Sequence, residues 1–317
     1  MSVASFLAAE HPTAFSFEVL PPMRGKSIEQ VFKTIDRLMP FNPAYINITT
    51  HRSEVVYREI ASGVFQRTAE RTRPGTVAIA AALKGRYGIA TVPHVICSGF
   101  TPSELENMLI DLSYLEITDL LVLRGDRAKT DTRHIANCNE HSHAIDLCHQ
   151  VSAFNRGTML DGSEHEPWGK VFSFGVAGYP EKHEEAMNIE TDIEHLREKV
   201  EAGAQYVVTQ MFFDNRRYFD FVDRCRAAGI TVPIIPGIKP LTSLTQQSLL
   251  PKTFHIDFPM ELAEAFRRCK SNEDVKALGI EWGIAQAREL KQAGVPSIHF
   301  YSMNASASIE AIAKAVY

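Results

Sequence analysis

The chain has 317 residues, 45% hydrophobic and 22% charged, with a formal net charge of -5, enough for one large barrel or two ordinary domains around a full core. The slight acidity and scattered Lys and Arg exclude a basic nucleic-acid footprint, and no apolar run approaches the roughly 20 residues that span a bilayer. Residues 1–10 lack the basic start and apolar core of a signal peptide, and the five irregularly spaced cysteines (Cys97, Cys138, Cys148, Cys225, Cys269) form no C-x-x-C pair, so a cytoplasmic protein with free thiols is expected.

In chain order, residues 14–20 alternate with period two, which puts Phe15, Phe17 and Val19 on one face of a strand and Ser16, Glu18 and Leu20 on the other. Pro21-Pro22 ends that strand, because proline has no amide to extend a ladder, and Glu18 is left on rigid backbone at its C-terminal end. Residues 27–39 carry Ile28, Val31, Phe32, Ile35 and Leu38 at helical spacing, with Ser27 as N-cap. A strand at 45–49 and a helix over 54–72 are predicted next. Residues 91–97 read as a third strand despite Pro93, and Thr101-Pro102 opens a helix to Leu115. The apolar run Leu120 to Leu123 suits a parallel strand covered on both faces, and it leads directly into Arg124-Gly125-Asp126.

A helix over 139–154 and a polar excursion at 157–169 follow. Strands are then predicted at 172–177, 206–209, 232–235 and 297–301, separated by helices at 189–202, 215–228, 260–268 and 275–293, with a short helix closing the chain. Eight strands alternating with helices specify a single-domain α/β protein, a (β/α)8 TIM barrel. The competing doubly wound sheet lacks a G-x-G-x-x-G turn after the first strand.

In a barrel the loops after the strands share one face, and polar residues recur there: Glu18, Thr49-Thr50, His94, Arg124-Gly125-Asp126, Tyr179 with His183, and Thr209-Gln210. Taken singly, each has an ordinary structural explanation, a helix cap or a satisfied core histidine for instance; their joint placement points to a site.

The segments Ser16-Phe17-Glu18 with Pro21-Pro22, Pro93-His94, Leu123-Arg124-Gly125-Asp126, Tyr179-Pro180-Glu181 with His183, Thr209-Gln210-Met211-Phe212-Phe213-Asp214, Pro236-Gly237-Ile238 and His299-Phe300-Tyr301 with Asn304 together resemble the methylenetetrahydrofolate reductase family, in order and over nearly the whole chain. The resemblance is to the bacterial form, a catalytic barrel with no regulatory domain following. It implies a flavoprotein that uses FAD to reduce 5,10-methylenetetrahydrofolate to 5-methyltetrahydrofolate, which supplies methyl groups for methionine synthesis. The electron donor is implied to be NADH or NADPH, with a protein donor left open, and a homo-oligomer is implied because bacterial members are often tetramers.

By position, the resemblance implies Glu18 as the general acid that protonates the departing nitrogen of the methylene bridge, its pKa raised by confinement in the barrel mouth. Asp126 is implied near both flavin and pterin, accepting hydrogen bonds from the pterin and lowering the flavin potential. Arg124 and Gly125 are implied at the flavin; Thr49, Thr50, His94, Tyr179, His183, Asp192 and Lys199 at FAD or the nicotinamide; Gln210 and Gln246 at the folate, where an amide both donates and accepts. Asp192, His195 and Lys199 form a polar stripe on one predicted helix, as a solvated face also would. The chain departs from the family pattern at Leu250, in place of a stacking aromatic, at Ala305, in place of an Arg at the folate tail, and at His195 and Glu198.

Two other readings compete. Cys138, His141, His143, Cys148 and His149 are metal-ligand types, but adjacency of the last two on a helix hinders convergence, and no metal is expected. A barrel that binds folate or flavin without turnover would not need an acid at Glu18.

Overall fold

The computed structural model describes residues 1–126, 140–166, 171–303 and 305–317. Helix α1 (Val3–Ala8) precedes β1 (Ala14–Val19), α2 (Glu29–Leu38) and β2 (Tyr45–Ile48). A hairpin of β3 (Glu54–Ala61) and β4 (Val64–Glu70) comes before α3 (Thr76–Tyr87), β5 (Ala90–Ile96), α4 (Pro102–Tyr114) and β6 (Asp119–Leu123). The order continues through α5 (Ala144–Asn155), β7 (Ser173–Gly178), α6 (Ile189–Glu201), β8 (Tyr206–Thr209), α7 (Asn215–Ala227), β9 (Ile234–Ile235) and β10 (Gly237–Ile238). It ends with α8 (Gln246–Phe254), α9 (Met260–Arg268), α10 (Asn272–Gln292), β11 (Ser297–Tyr301) and α11 (Ser306–Val316).

All strands outside the hairpin pair in parallel, in the order β10-β11-β1-β2-β5-β6-β7-β8-β9. Strands β9 and β10 flank Pro236, one pairing with β8 and the other with β11, so together they fill the eighth place and the ring closes as the expected (β/α)8 barrel. Proline's missing amide accounts for the interruption. Pro93 is tolerated because β5 pairs with β2 up to that residue and with β6 from His94 onward.

Alternation sorts each strand into an outer and an inner face. Phe15, Phe17, Val19, Ile46, Ile48 and Ile238 face outward into the main core beneath the helices. Tyr45, Val92, Leu121, Tyr206, Val208 and Ile235 form an inner cluster, closed from below by Val3, Ala4 and Leu7 of α1. That plug is tied in place by Asp119, which accepts the Val3 amide at 2.7 Å. The Tyr206 ring lies where any side chain at position 175 would stand, within 2.3 Å of an added Cβ, so Gly175 is what admits it.

The helix predicted over 54–72 is wrong: the segment is the antiparallel β3–β4 hairpin. Ser62-Gly63 forms its turn, with Gly63 at φ +73°, and β-branched Val55, Val56, Ile60, Val64 and Thr68 favour strand over helix. The crossover helix between β2 and β5 is instead α3; α1, α3 and α8 lie in segments for which the pattern predicts no helix. Helix α2 begins at Glu29, and Ser27 serves it by accepting the Glu29 amide at 3.1 Å. Cys138, Asn304 and most of the segment from Arg127 to Glu140 lie outside the described residues.

Candidate active site

At the C-terminal end of the barrel, polar residues line the inner face: on β2 and β5, Asn47 and His94 follow two residues after Tyr45 and Val92 of the inner cluster, and on β1 and β11 the earlier residues, Ser16 and His299, are already polar. Glu18 pairs in register with Asn47 on one side and Tyr301 on the other, and Lys239 stands one residue beyond Ile238, whose partner is Phe300. Lys239, Tyr301, Glu18 and Asn47 therefore occupy successive places in one inward row. Glu18 and Lys239 are each only 6% exposed. Ser302 fixes the backbone at Glu18 by donating its hydroxyl to the Glu18 carbonyl at 2.6 Å. Tyr301 donates its hydroxyl to the Thr209 carbonyl at 2.5 Å, and the Thr209 hydroxyl accepts the Gly237 amide at 3.0 Å.

Burial pushes the Glu18 pKa up from 4.5 to about 7; the Lys239 charge opposes that rise and the Asp126 charge adds to it. A carboxyl so placed holds its proton near neutral pH, which is the property of a general acid. Burial lowers the Lys239 pKa, and the Glu18 charge partly restores it. Asp126 is exposed at the rim after β6. Gly125 before it has φ +94°, and an added Cβ there would crowd Ile96 and Ser98 at 3.2 to 3.3 Å, so the turn after β6 takes glycine.

A second group of expected site residues gathers on the β6 and β7 side. The Arg124 guanidinium pairs with Glu185 at 2.5 Å and lies 3.4 Å from His183 Nε2. The His183 ring meets Tyr179 edge-on at 4.7 Å, and its backbone amide donates to Asp192 at 2.9 Å. Tyr179, Asp192 and Lys199 line one crevice with Ala177, whose carbonyl accepts from the Lys199 ammonium at 3.4 Å. The helical stripe thus divides: Asp192 is buried and Lys199 half-buried against the barrel, whereas His195 and Glu198 are solvated.

Thr49, Thr50 and His94 form a third group after β2 and β5. Thr50 donates to the His94 carbonyl at 2.5 Å, and Thr49 reaches the Val19 carbonyl at 3.5 Å. The Asn47 amide donates to His94 Nε2 at 3.2 Å, which requires a neutral ring protonated on Nδ1. Burial depresses the His94 pKa to about 3. Asn47 Oδ1 is left buried with no partner among the described residues.

Of the two glutamines, one follows β8 and the other opens α8. Gln210 turns its carbonyl back on the Met211 amide at 2.9 Å. Gln246 is buried, and its carbonyl accepts the Thr242 and Ser243 amides at 2.6 and 3.0 Å, so that oxygen closes the turn before α8 and its NH2 group is the side left for a ligand. Leu250 packs in the satellite core with Met211 and Leu241, and Ala305 is buried at the start of α11. Lys239 was not anticipated; its signal was a lysine directly after Pro236-Gly237-Ile238 at a strand end. Among the described residues no cluster of three His, Cys, Asp or Glu is arranged to hold a metal. Within the rival set, Cys148 is buried in the core, His149 is exposed and His141 bonds Gln150 at 2.7 Å. Among the described residues no helix is long and apolar enough to cross a membrane.

A family model described as methylenetetrahydrofolate reductase matches residues 4–317. The 5,10-methylenetetrahydrofolate reductase of Escherichia coli (strain K12) is 30% identical over 290 residues, covering 91% of this chain and 86% of that one. A probable methylenetetrahydrofolate reductase (NADH) of Oryza sativa subsp. japonica is 28% identical over 94% of this chain, and one of Caenorhabditis elegans named for NADPH is 28% identical over 98%. The chain spans about half the length of these two relatives, 47% and 43%. Among solved structures, a Clostridium thermocellum protein described as binding two copies of 5-methyl-5,6,7,8-tetrahydrofolic acid superposes with TM-score 0.59 over 98% of this chain and 96% of its own, at 15% identity. An oxaloacetate acetylhydrolase superposes at TM-score 0.51 and 11% identity, covering 97% of this chain and 82% of that one. Both likenesses are of fold.

Proposed function

The chain belongs to the methylenetetrahydrofolate reductase family, and from that membership and the chemistry of the barrel mouth we propose an oxidoreductase that reduces 5,10-methylenetetrahydrofolate to 5-methyltetrahydrofolate with FAD as cofactor. One observation carries the reading: the buried Glu18, at the C-terminal end of β1, has its pKa raised to about 7. Opening the methylene bridge needs a proton on the departing nitrogen, and Glu18 is the group that supplies it at neutral pH. Its immobility, on a strand paired on both sides, aims that proton without reorganisation.

The donor set at the mouth fits a flavin dinucleotide. The cations Arg124 and Lys199 suit its diphosphate, Asp192 and the Thr49 and Thr50 hydroxyls suit its sugar-like chain, and His94 offers a neutral ring. When bound, FAD supplies the hydride for the substrate carbon. Asp126 would accept hydrogen bonds from the pterin, and Gln210 with the Gln246 amide would hold the folate edge. Of the relatives named above, one is described with NADH and one with NADPH, so either nicotinamide is proposed as the electron source. The product would serve methyl supply for methionine synthesis. Buried thiols at Cys97, Cys148 and Cys225 accord with a reducing, cytoplasmic setting.

The test is an anaerobic titration of the purified protein supplied with FAD. Dithionite should bleach the flavin band and methylenetetrahydrofolate should restore it. Reduced flavin that binds but is never reoxidised by the folate would overturn the substrate assignment, and absence of flavin binding would overturn the cofactor.

A further inference from the structure

We propose that Lys239 is a positioning residue for Glu18: its ammonium, two places along the same inward row, opposes the burial that favours the neutral Glu18 carboxyl. The catalytic consequence rests on Glu18 being the proton donor; the pairing itself does not.

Three observations support the pairing. First, Ile238 pairs with Phe300 and Phe300 with Phe17, so one step further Lys239, Tyr301 and Glu18 follow in sequence across β10, β11 and β1. Ile238 and Phe17 belong to the outer core, which turns Lys239 and Glu18 to the inside. Second, Lys239 is only 6% exposed as a residue and its ammonium is poorly hydrated, a state an anion compensates, yet among the described residues no ion pair within 4 Å and no hydrogen bond closes on it. Glu18 is the charged group whose field reaches it. Third, the groups that face Glu18 act in opposite directions: Asp126, after β6, favours the neutral acid, and Lys239, after β10, favours the carboxylate. Tyr301, beside it on β11, stays neutral because burial raises its pKa well above 10, and Asn47 on β2 carries no charge. Lys239 is thus the cation that opposes burial at Glu18.

An ammonium stabilises the ionised carboxylate, so removing it raises the pH at which Glu18 loses its proton. The experiment is a carbon-13 NMR titration of glutamate side-chain carboxyls in the full chain without ligands, the Glu18 resonance being identified by its loss in Glu18→Gln. In Lys239→Met the Glu18 midpoint should move up by about one pH unit or more, whereas Lys239→Arg, which keeps the charge, should leave it near the wild-type value. The alkaline limb of folate reduction should move with it. An unmoved midpoint in folded Lys239→Met overturns the proposal, whether or not the KM for folate rises. A midpoint that moves while the alkaline limb stays upholds the pairing and removes Glu18 as the acid. If the Met variant does not fold, Lys239→Gln keeps a donor without the charge and gives the same reading.

Discussion

Tyr45 and Asn47, Val92 and His94, and Ser16 and Glu18 are pairs from single strands, two residues apart on the inner face of the barrel. At the lower level Tyr45 and Val92 join Leu121, Tyr206 and Ile235 over the α1 plug, and Ser16 is the polar exception, hydrogen-bonded to Ser297 at 3.2 Å and to His299 at 3.0 Å. At the upper level Asn47, His94 and Glu18 are also buried and all three are polar, so the electrostatic costs met below at Tyr45 and His299 become the rule. The difference shows how one scaffold divides its tasks. Mainly apolar burial below holds the strands in register, and that packing keeps poorly solvated polar groups in place above, where their proton affinities are altered.

The widest gap between the levels should appear in turnover. Glu18→Gln keeps the shape and removes the acid, so flavin reoxidation by methylenetetrahydrofolate should fall by about 10² to 10⁴, or roughly 3 to 5 kcal/mol of barrier, with flavin binding retained. Stopped-flow absorbance measures both; wild-type reoxidation in the variant would remove Glu18 from the chemistry. At the lower level the corresponding loss is in stability. Tyr206→Ala deletes a fully buried ring and the hydroxyl that donates to the Leu120 carbonyl at 2.9 Å. Urea denaturation should show a loss of about 3 to 5 kcal/mol. A loss below about 1 kcal/mol would mean that the lower level does not anchor the barrel.

The third expectation has the opposite sign. Because the folded-state pKa of Glu18 is raised from 4.5 to about 7, the native protein binds a proton there more tightly than the unfolded chain does. Stability from this group is therefore complete below pH 4.5 and is lost as pH rises through 7. Glu18→Gln should then be more stable than wild type above pH 7, by up to about 3 kcal/mol, with the advantage gone below about pH 5. His94, with its pKa lowered to about 3, contributes the reverse slope in both proteins and cancels from the difference. Denaturation midpoints at pH 5 and pH 8 test it; a variant less stable than wild type at pH 8 would show that the native carboxylate is well solvated.

The barrel was legible because its strand and helix periods are regular and Pro or Gly marks most strand ends, and Glu18 because Pro21-Pro22 fixes where its strand stops. Lys239 was not, because nothing local distinguishes a lysine that turns into a barrel from one that turns to solvent; only the register with Phe300 and Phe17 makes the difference. The split role of Gln246 was hidden for a related reason, since one end of the amide is committed to a turn four residues back. The grouping of Arg124, His183, Tyr179 and Asp192 joins residues from after β6, after β7 and on α6, and such contacts are set by closure of the ring.

The β3–β4 hairpin is the region where sequence pattern and fold parted, and it should also give the smallest effects. Tyr57, Ile60 and Phe65 are 62%, 62% and 59% exposed, and the ribbon pairs only with itself, whereas β1 lies in the barrel between β11 and β2. A two-stranded ribbon is marginal in water, and substitutions on it remove little buried area. Tyr57→Ser and Phe65→Ser should therefore change global stability by no more than about 0.5 kcal/mol. Amide hydrogen exchange gives the sharper comparison. Amides of Glu54–Ala61 and Val64–Glu70 should open locally and exchange well before those of Ala14–Val19, whose opening requires the barrel to unfold. Equal protection in the two segments would mean that the ribbon is covered in solution, and the exposed aromatic rings would then have to be counted as part of an interface.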